Sequence, residues 1–370
     1  MRLVFPAFLL AAVVCFASEN NSARRLKNVF KDDFHIGAAV NRSQIYGRAP
    51  KAGVLLAEQF SSITPENVMK WSSIHPKPDE YNFEPADKYA SIGEENSMFV
   101  AGHTLIWHNQ TPDWVFENAD GSEVSRKELL KRMREHIFKV AGRYKGRVHG
   151  WDVVNEAIED DGSLRNTKWR EIIGDDYIAK AFEYAHQAAP DAELYYNDYN
   201  MYRSEKRKAA AELAEKLQSR GLRIDGIGIQ GHWGLNHPSA AEIQKSIDAF
   251  SSLGLKVMIT ELDLTVLPSA WEHRGADISQ NYELRKEINP FPDGLPANMQ
   301  RKLSNRYQQL FALFTRNSGK ISRVTFWGVH DGCSWRNNWP VSGRTDYPLL
   351  FNRNCEPKRA FNEVVKAGRK

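Results

Sequence analysis

Glu156 comes near the end of the stretch VHGWDVVNEA (148–157), and Glu261 near the end of KVMITELD (256–263). Each glutamate follows a short, nearly continuous apolar run, the pattern of a strand buried on both faces in a parallel sheet. Side chains at the carboxyl ends of such strands stand at a rim, where chemistry collects. Two carboxyls facing one another across a cleft suit glycosidic bond hydrolysis. One protonates the leaving oxygen, and the other attacks the anomeric carbon or activates a water. A structural carboxylate satisfied by its neighbours is the plainer reading of either glutamate alone. Glu66, Asp152, Asp198, Asp263 and Asp331 are further candidates. The residues by themselves supply a cleft and a reaction class and leave the working pair open.

The other run ends carry a consistent chemistry. TPENVMKW contributes Glu66, Asn67, Lys70 and Trp71, and GHTLIWHNQ contributes His103, Trp107 and His108. Asn155 precedes Glu156, NDYN holds Asp198 and Tyr199, and QGHW holds Gln230, His232 and Trp233. FWGVHDGCSWRNNW adds Trp327, Trp335 and Trp339. Amides, histidines and carboxylates pair with hydroxyls, while indoles stack on the C–H face of a sugar ring. A phosphate site would need Gly-rich backbone or an Arg cluster, and these ends have neither. His103 and His108, five apart on an extended strand, point to opposite faces, and there is no HExxH, so no metal is expected. No organic cofactor is implied either.

The elements that would position these groups follow a rhythm. Strand-like runs fall at 34–39, 60–64, 98–105, 148–154, 193–197, 226–230, 257–260 and 324–329. Segments with helical spacing lie between them. In 125–142, Ser125 and Glu128 have capping-box spacing ahead of a stripe of Leu129, Leu130, Met133, Ile137 and Val140. Ser239 and Glu242 open another helix, carrying Ile243, Ile247 and Phe250 and ended by Gly254. Further helices are expected over 204–221 and 298–316. Strands alternating with helices in this number predict a closed α/β barrel, the (β/α)₈ TIM barrel, as a single catalytic domain. A doubly wound open sheet usually has a Gly-rich turn after its first strand, and GAAVNRSQ is not one.

The chain of 370 residues is 42% hydrophobic and 26% charged, ordinary for a globular protein. Its net charge of +4 is slight and scattered, without the basic, aromatic-interleaved patch of a nucleic-acid binder. Residues 1–18 read as a signal peptide, with Arg2 ahead of LVFPAFLLAAVVCFA and small residues Cys15 and Ala17 before the cut. A lipid anchor on Cys15 or an uncleaved membrane anchor is the alternative. The mature chain, 19–370, is expected to be secreted or periplasmic, without a membrane span and monomeric.

Taken together, TPENVMKW, GHTLIWH, WDVVNEA, NDYN, GIQGHW, ITELD and TFWGVHD resemble, in order and spacing, the family 10 glycoside hydrolases, mostly endo-β-1,4-xylanases. The resemblance runs from about 34 to 361. It implies a (β/α)₈ barrel acting on xylan and xylo-oligosaccharides with retained anomeric configuration. By the same resemblance Glu156 is the acid/base and Glu261 the nucleophile, oriented by His232 and Asp263. Asn155 would bond the 2-hydroxyl of the sugar at the cleavage point, with His103, Trp107, Gln230 and Trp327 around that sugar. Glu66, Asn67 and Lys70 would grip the next sugar, and Tyr199 and Trp335 would stand near the leaving-group side. Repulsion between the two carboxylates would keep a proton on Glu156. A related barrel cutting β-glucan or β-mannan is the nearest rival, and a catalytically silent sugar binder is the rival from another class.

Three features depart from that pattern. Cys333, Arg336 and Cys355 stand where the family usually has other residues. A Cys333–Cys355 disulfide closing the loop after the last strand would stabilise by roughly 3 kcal/mol, with two free thiols as the alternative. The segment 265–299 is long and rich in Pro and Gly, and is expected to wall the leaving-group side.

Overall fold

The computed structural model describes residues 24–269, 279 and 281–369. The signal-peptide expectation and Cys15 therefore lie outside the described residues. All strands run parallel. They are β1 (His35–Val40), β2 (Ser62–Pro65), β3 (Phe99–Ile106), β4 (Gly150–Asn155), β5 (Glu193–Asp198), β6 (Gly226–Ile229), β7 (His232–Gly234), β8 (Lys256–Thr265) and β9 (Ile321–Phe326). The chain of pairings runs from β6 back through β1 to β9 and β8, and a further β6–β8 pairing closes the barrel. Every expected run becomes a strand, with ends displaced by a few residues.

The additional short strand is β7. At Gly231, with φ +86°, the sixth run turns a corner that a side chain would resist, and it resumes alongside β8. The register then sets His232 opposite Asp263. In the same way β3 and β4 set His103 opposite Asp152, and β4 and β5 set Asn155 opposite Asn197. Barrel register, fixed by burial on both faces, thus assembles side chains from distant parts of the chain at one mouth.

Helices wrap the outside. The helix Arg126–Arg143 buries Leu129, Met133, Ile137 and Val140 as its stripe requires. Its capping box is only half formed: Ser125 accepts from the Glu128 N–H, but the Glu128 carboxylate turns to Arg132 at 3.0 Å. The box at Ser239 and Glu242 is complete. Trp151 is fully buried, and a Cβ on Gly102 would come within 2.1 Å of its ring, so glycine is needed there. No helix among the described residues is long and apolar enough to cross a membrane.

The disulfide is not formed. Cys333 and Cys355 are both free, and the Cys333 thiol is occupied within its own turn, donating to the His330 carbonyl at 3.1 Å. Of the long 265–299 segment, the described part is tied to the loop after β9. Tyr282 bridges to Val341, Asn289 accepts from the Thr345 N–H, and Tyr347 donates to the Phe291 carbonyl.

Candidate active site

Glu156 follows the last residue of β4 with φ +58°, a left-handed conformation that costs an ordinary residue about 1–2 kcal/mol. Neighbouring groups hold it there. Its N–H donates to the Asn197 carbonyl at 2.9 Å, and the Arg165 Nε–H donates to its carbonyl at 3.0 Å. Its carboxylate accepts from the Trp107 indole N–H at 2.9 Å and the Gln230 amide at 2.8 Å. Only 7% of the residue is exposed.

Glu261 lies within β8 and is 5% exposed. Its carboxylate accepts from the Asn197 amide at 2.8 Å and faces His232 Nε2 at 3.1 Å. Its N–H donates to the Gln230 carbonyl at 2.7 Å. Asn197 and Gln230 therefore brace both glutamates. Asn197 holds Glu261 by its side chain and Glu156 by its backbone, and Gln230 does the reverse. Asn197, the first residue of NDYN, has no distinguishing mark in the sequence, because an amide at a strand end becomes a brace only where β5 lies between the two glutamates.

Behind Glu261, His232 Nδ1 meets Asp263 at 3.0 Å. Asp263 also accepts from Trp335 Nε1 and Arg336 Nε, each at 2.7 Å. Burial pulls the His232 imidazole down, but Asp263 and Glu261 outweigh it and push it up to about 9. Burial pushes Asp263 up, and the charges of Arg336 and His232 overcome this and hold it low. The unusual Arg336 thus serves as a counter-ion of Asp263, and Trp335 points its polar edge into the same network.

The remaining predicted residues surround this centre. His103 Nδ1 bonds Asp152 at 2.8 Å, with its ring edge-on to Trp327 at 5.4 Å. The amides of Asn155 and Asn197 meet at 2.9 Å. Lys70 donates to Asn67 at 3.1 Å and lies 4.8 Å from the Trp107 ring. Burial pulls Lys70 down, and the charges of Glu261, Glu66 and Glu156 work against it. Burial pushes Glu66 up, partly offset by Lys70. The Tyr199 hydroxyl accepts from Arg165 at 2.7 Å. Of the other carboxylates, Asp331 is committed to Lys358 at 2.9 Å, while Asp152 and Asp198 act beneath the site through His103 and Lys206.

One electrostatic expectation is corrected. Burial does push the Glu156 carboxyl up, but the charge of His108, the donors Gln230 and Trp107, and the charge of Lys206 together leave it below the ordinary carboxylate range. In the free protein these donors and cations, rather than a like-charged neighbour, dominate its environment.

The sequence profile of Glycosyl hydrolase family 10 matches residues 25–367. Endo-1,4-beta-xylanase A of Xylanibacter ruminicola is 45% identical over 92% of this chain and 92% of its own length. Endo-1,4-beta-xylanase of Geobacillus stearothermophilus is 42% identical over 93% and 99%. Among solved structures, a GH10 endoxylanase from a sugarcane soil metagenome superposes with a TM-score of 0.88 at 41% identity, over 94% of this chain and all of that one. Xylanase XynB of Paenibacillus barcinonensis, complexed with a conduramine derivative, gives 0.83 at 39% identity, over 92% and 98%.

Proposed function

The chain belongs to glycosyl hydrolase family 10, and from that premise we propose that it is a retaining endo-1,4-β-xylanase in which Glu156 is the acid/base and Glu261 the nucleophile. The observation that carries the assignment is the shared brace: Asn197 and Gln230 each bond both glutamates, so the two carboxyls form one unit. In the first half-reaction the Glu261 carboxylate attacks the anomeric carbon. The glycosidic C–O bond breaks, and Glu156 passes its proton to the departing oxygen. In the second, Glu156 takes a proton from water, whose oxygen attacks the same carbon and releases Glu261.

The proton on Glu156 is tied to substrate binding. A glycosidic oxygen arriving at Glu156 displaces the Gln230 or Trp107 donor that favours the carboxylate. Burial then dominates and favours the neutral acid. The imidazolium of His232, kept charged between Asp263 and Glu261, supports an ionised, oriented nucleophile. Asn155 is assigned to the 2-hydroxyl of the sugar under attack, with His103, Trp107, Gln230 and Trp327 around it. Glu66, Asn67 and Lys70 are assigned to the next sugar, and Tyr199 and Trp335 to the leaving-group side. Lys70 is only 8% exposed against Trp107. Such a crowded position favours xylose, which has no hydroxymethyl group. Residues 19–370 act as one exported, monomeric catalytic domain.

Glu261→Ala should abolish turnover of every substrate. Glu156→Ala should spare aryl xylosides whose leaving group needs no proton while losing xylan cleavage by about 100-fold or more. Equal loss on both would mean that Glu156 is not the acid. Reducing-sugar release from xylan, β-glucan and β-mannan tests the substrate, and equal release from all three would sink the xylan assignment.

A further inference from the structure

Beneath Glu156 lies a buried charge pair that neither proposed half-reaction uses. Asp198, the last residue of β5, and Lys206, in the helix Ser204–Ser219, are both fully buried and 2.9 Å apart. Asp198 accepts from the Ile158 N–H at 3.3 Å and from the Tyr196 hydroxyl, and that hydroxyl in turn accepts from the Ala157 N–H at 3.0 Å. The two residues directly after Glu156 are therefore anchored to Asp198. From the other side, Lys206 Nζ lies 3.5 Å from the centre of the Tyr199 ring. The Tyr199 hydroxyl accepts from Arg165, which donates to the Glu156 carbonyl. The contacts form a circuit that leaves Glu156 through Ala157 and Ile158 and returns through Arg165.

A buried ion pair is a weak stabiliser, because desolvation of both charges offsets their attraction and apolar replacements are often as stable. Stability alone therefore gives little reason for this pair. We propose that Asp198 and Lys206 are a positioning pair for Glu156, fixing the chain just beyond it and supplying a buried positive charge against which its proton is exchanged. The inference rests on the reading of Glu156 as acid/base. The groups that face Glu156 are Gln230, Trp107, His108, Lys206, Lys70, Asp198, Tyr199 and Arg165, with Glu261 across the cleft. Among these cations, Lys206 alone is fully buried, and its Nζ lies between the carboxylates of Asp198 at 2.9 Å and Asp160 at 3.7 Å. Burial pushes Asp198 up to about 6, against the pull of Lys206.

The test measures kcat/KM against pH for Lys206→Met and Lys206→Arg, on xylan and on an aryl xylobioside whose leaving group needs no proton. Loss of the lysine charge should move the alkaline limb on xylan up by about half a unit or more. It should also lower kcat on xylan about tenfold, with less than a twofold change on the aryl substrate. Lys206→Arg should return the limb to its wild-type position. An unmoved limb, or equal losses on the two substrates, would overturn the proposal. If Lys206→Met does not accumulate folded, the double variant Asp198→Asn/Lys206→Met leaves neither charge buried alone and the net charge unchanged. It should therefore leave the limb in place and still lose xylan turnover about tenfold while sparing the aryl substrate; equal losses on the two would overturn the positioning role. Glu156→Ala run in parallel separates the two ideas. If it loses both substrates equally, the acid/base reading has failed; if it shows the split and the Lys206 variants do not, only this inference has.

Discussion

His232 stands between two carboxylates, and that placement has a consequence for stability as well as for chemistry. Its folded pKa, about 9, is raised above the ordinary 6.5. Its contribution is therefore complete below pH 6.5 and is lost as pH rises through about 9. Thermal melts should show Tm falling over that window, and His232→Asn should flatten the fall; an unchanged slope would mean that the histidine is not held charged. Asn197 permits a second test. Its amide bonds the Glu261 carboxylate at 2.8 Å, and a hydrogen bond to a charged group contributes about 1.5–3 kcal/mol, so Asn197→Ala should lower kcat/KM on xylan about 10- to 100-fold. At this scale the sequence named most of the side chains at the mouth, since each closes an apolar run. It did not reveal Asn197 as a brace, or Arg165 and Lys206 as supports, because their roles exist only through neighbours contributed by other strands and loops. Nor could it reveal the environment of Glu156, where the charges of His108 and Lys206 and the donors Gln230 and Trp107 together outweigh burial.

The strands were legible because a parallel barrel buries both faces, so each leaves a continuous apolar run. The short β7 was not, since a histidine, a tryptophan and a glycine behind the Gly231 corner do not look like a strand until β8 is beside them. The end of β4 supplies a prediction of its own. Glu156 sits at φ +58°, where alanine costs about 1 kcal/mol more than glycine. Inactive Glu156→Gly should therefore melt at a higher temperature than inactive Glu156→Ala, and the reverse order would argue against a held, unfavourable backbone. On the outer layer, His136 of the helix Arg126–Arg143 is fully buried, stacked on Trp71 at 3.6 Å and facing His75 at 3.2 Å. Burial depresses both imidazoles. A depressed histidine costs stability as pH falls below its unfolded value near 6.5, because the unfolded chain takes up the proton more readily. Tm should decline on the acid side of 6.5, and His136→Asn should weaken that decline relative to its own value at pH 8.

Across the whole molecule, the two ends of the described chain meet. A Cβ on Gly368, at the end of the helix Arg359–Gly368, would lie 2.5 Å from Val29, and Phe361 of the same helix is 5% exposed and packs on Phe351. Phe361→Ala should cost about 3–5 kcal/mol in denaturant unfolding. Because Cys333 and Cys355 are free, the melt should be identical with and without reductant. A reductant-sensitive melt would restore the bridge. The braced glutamates have one more consequence. They hang from β4 and β8, which β5 and β6 keep apart, yet Asn197 of β5 and Gln230, just past the end of β6, grip both. When the barrel breathes, the jaws travel together like those of a locked caliper, so warming the protein should blur its outline well before it alters the span that decides which anomer of the sugar emerges.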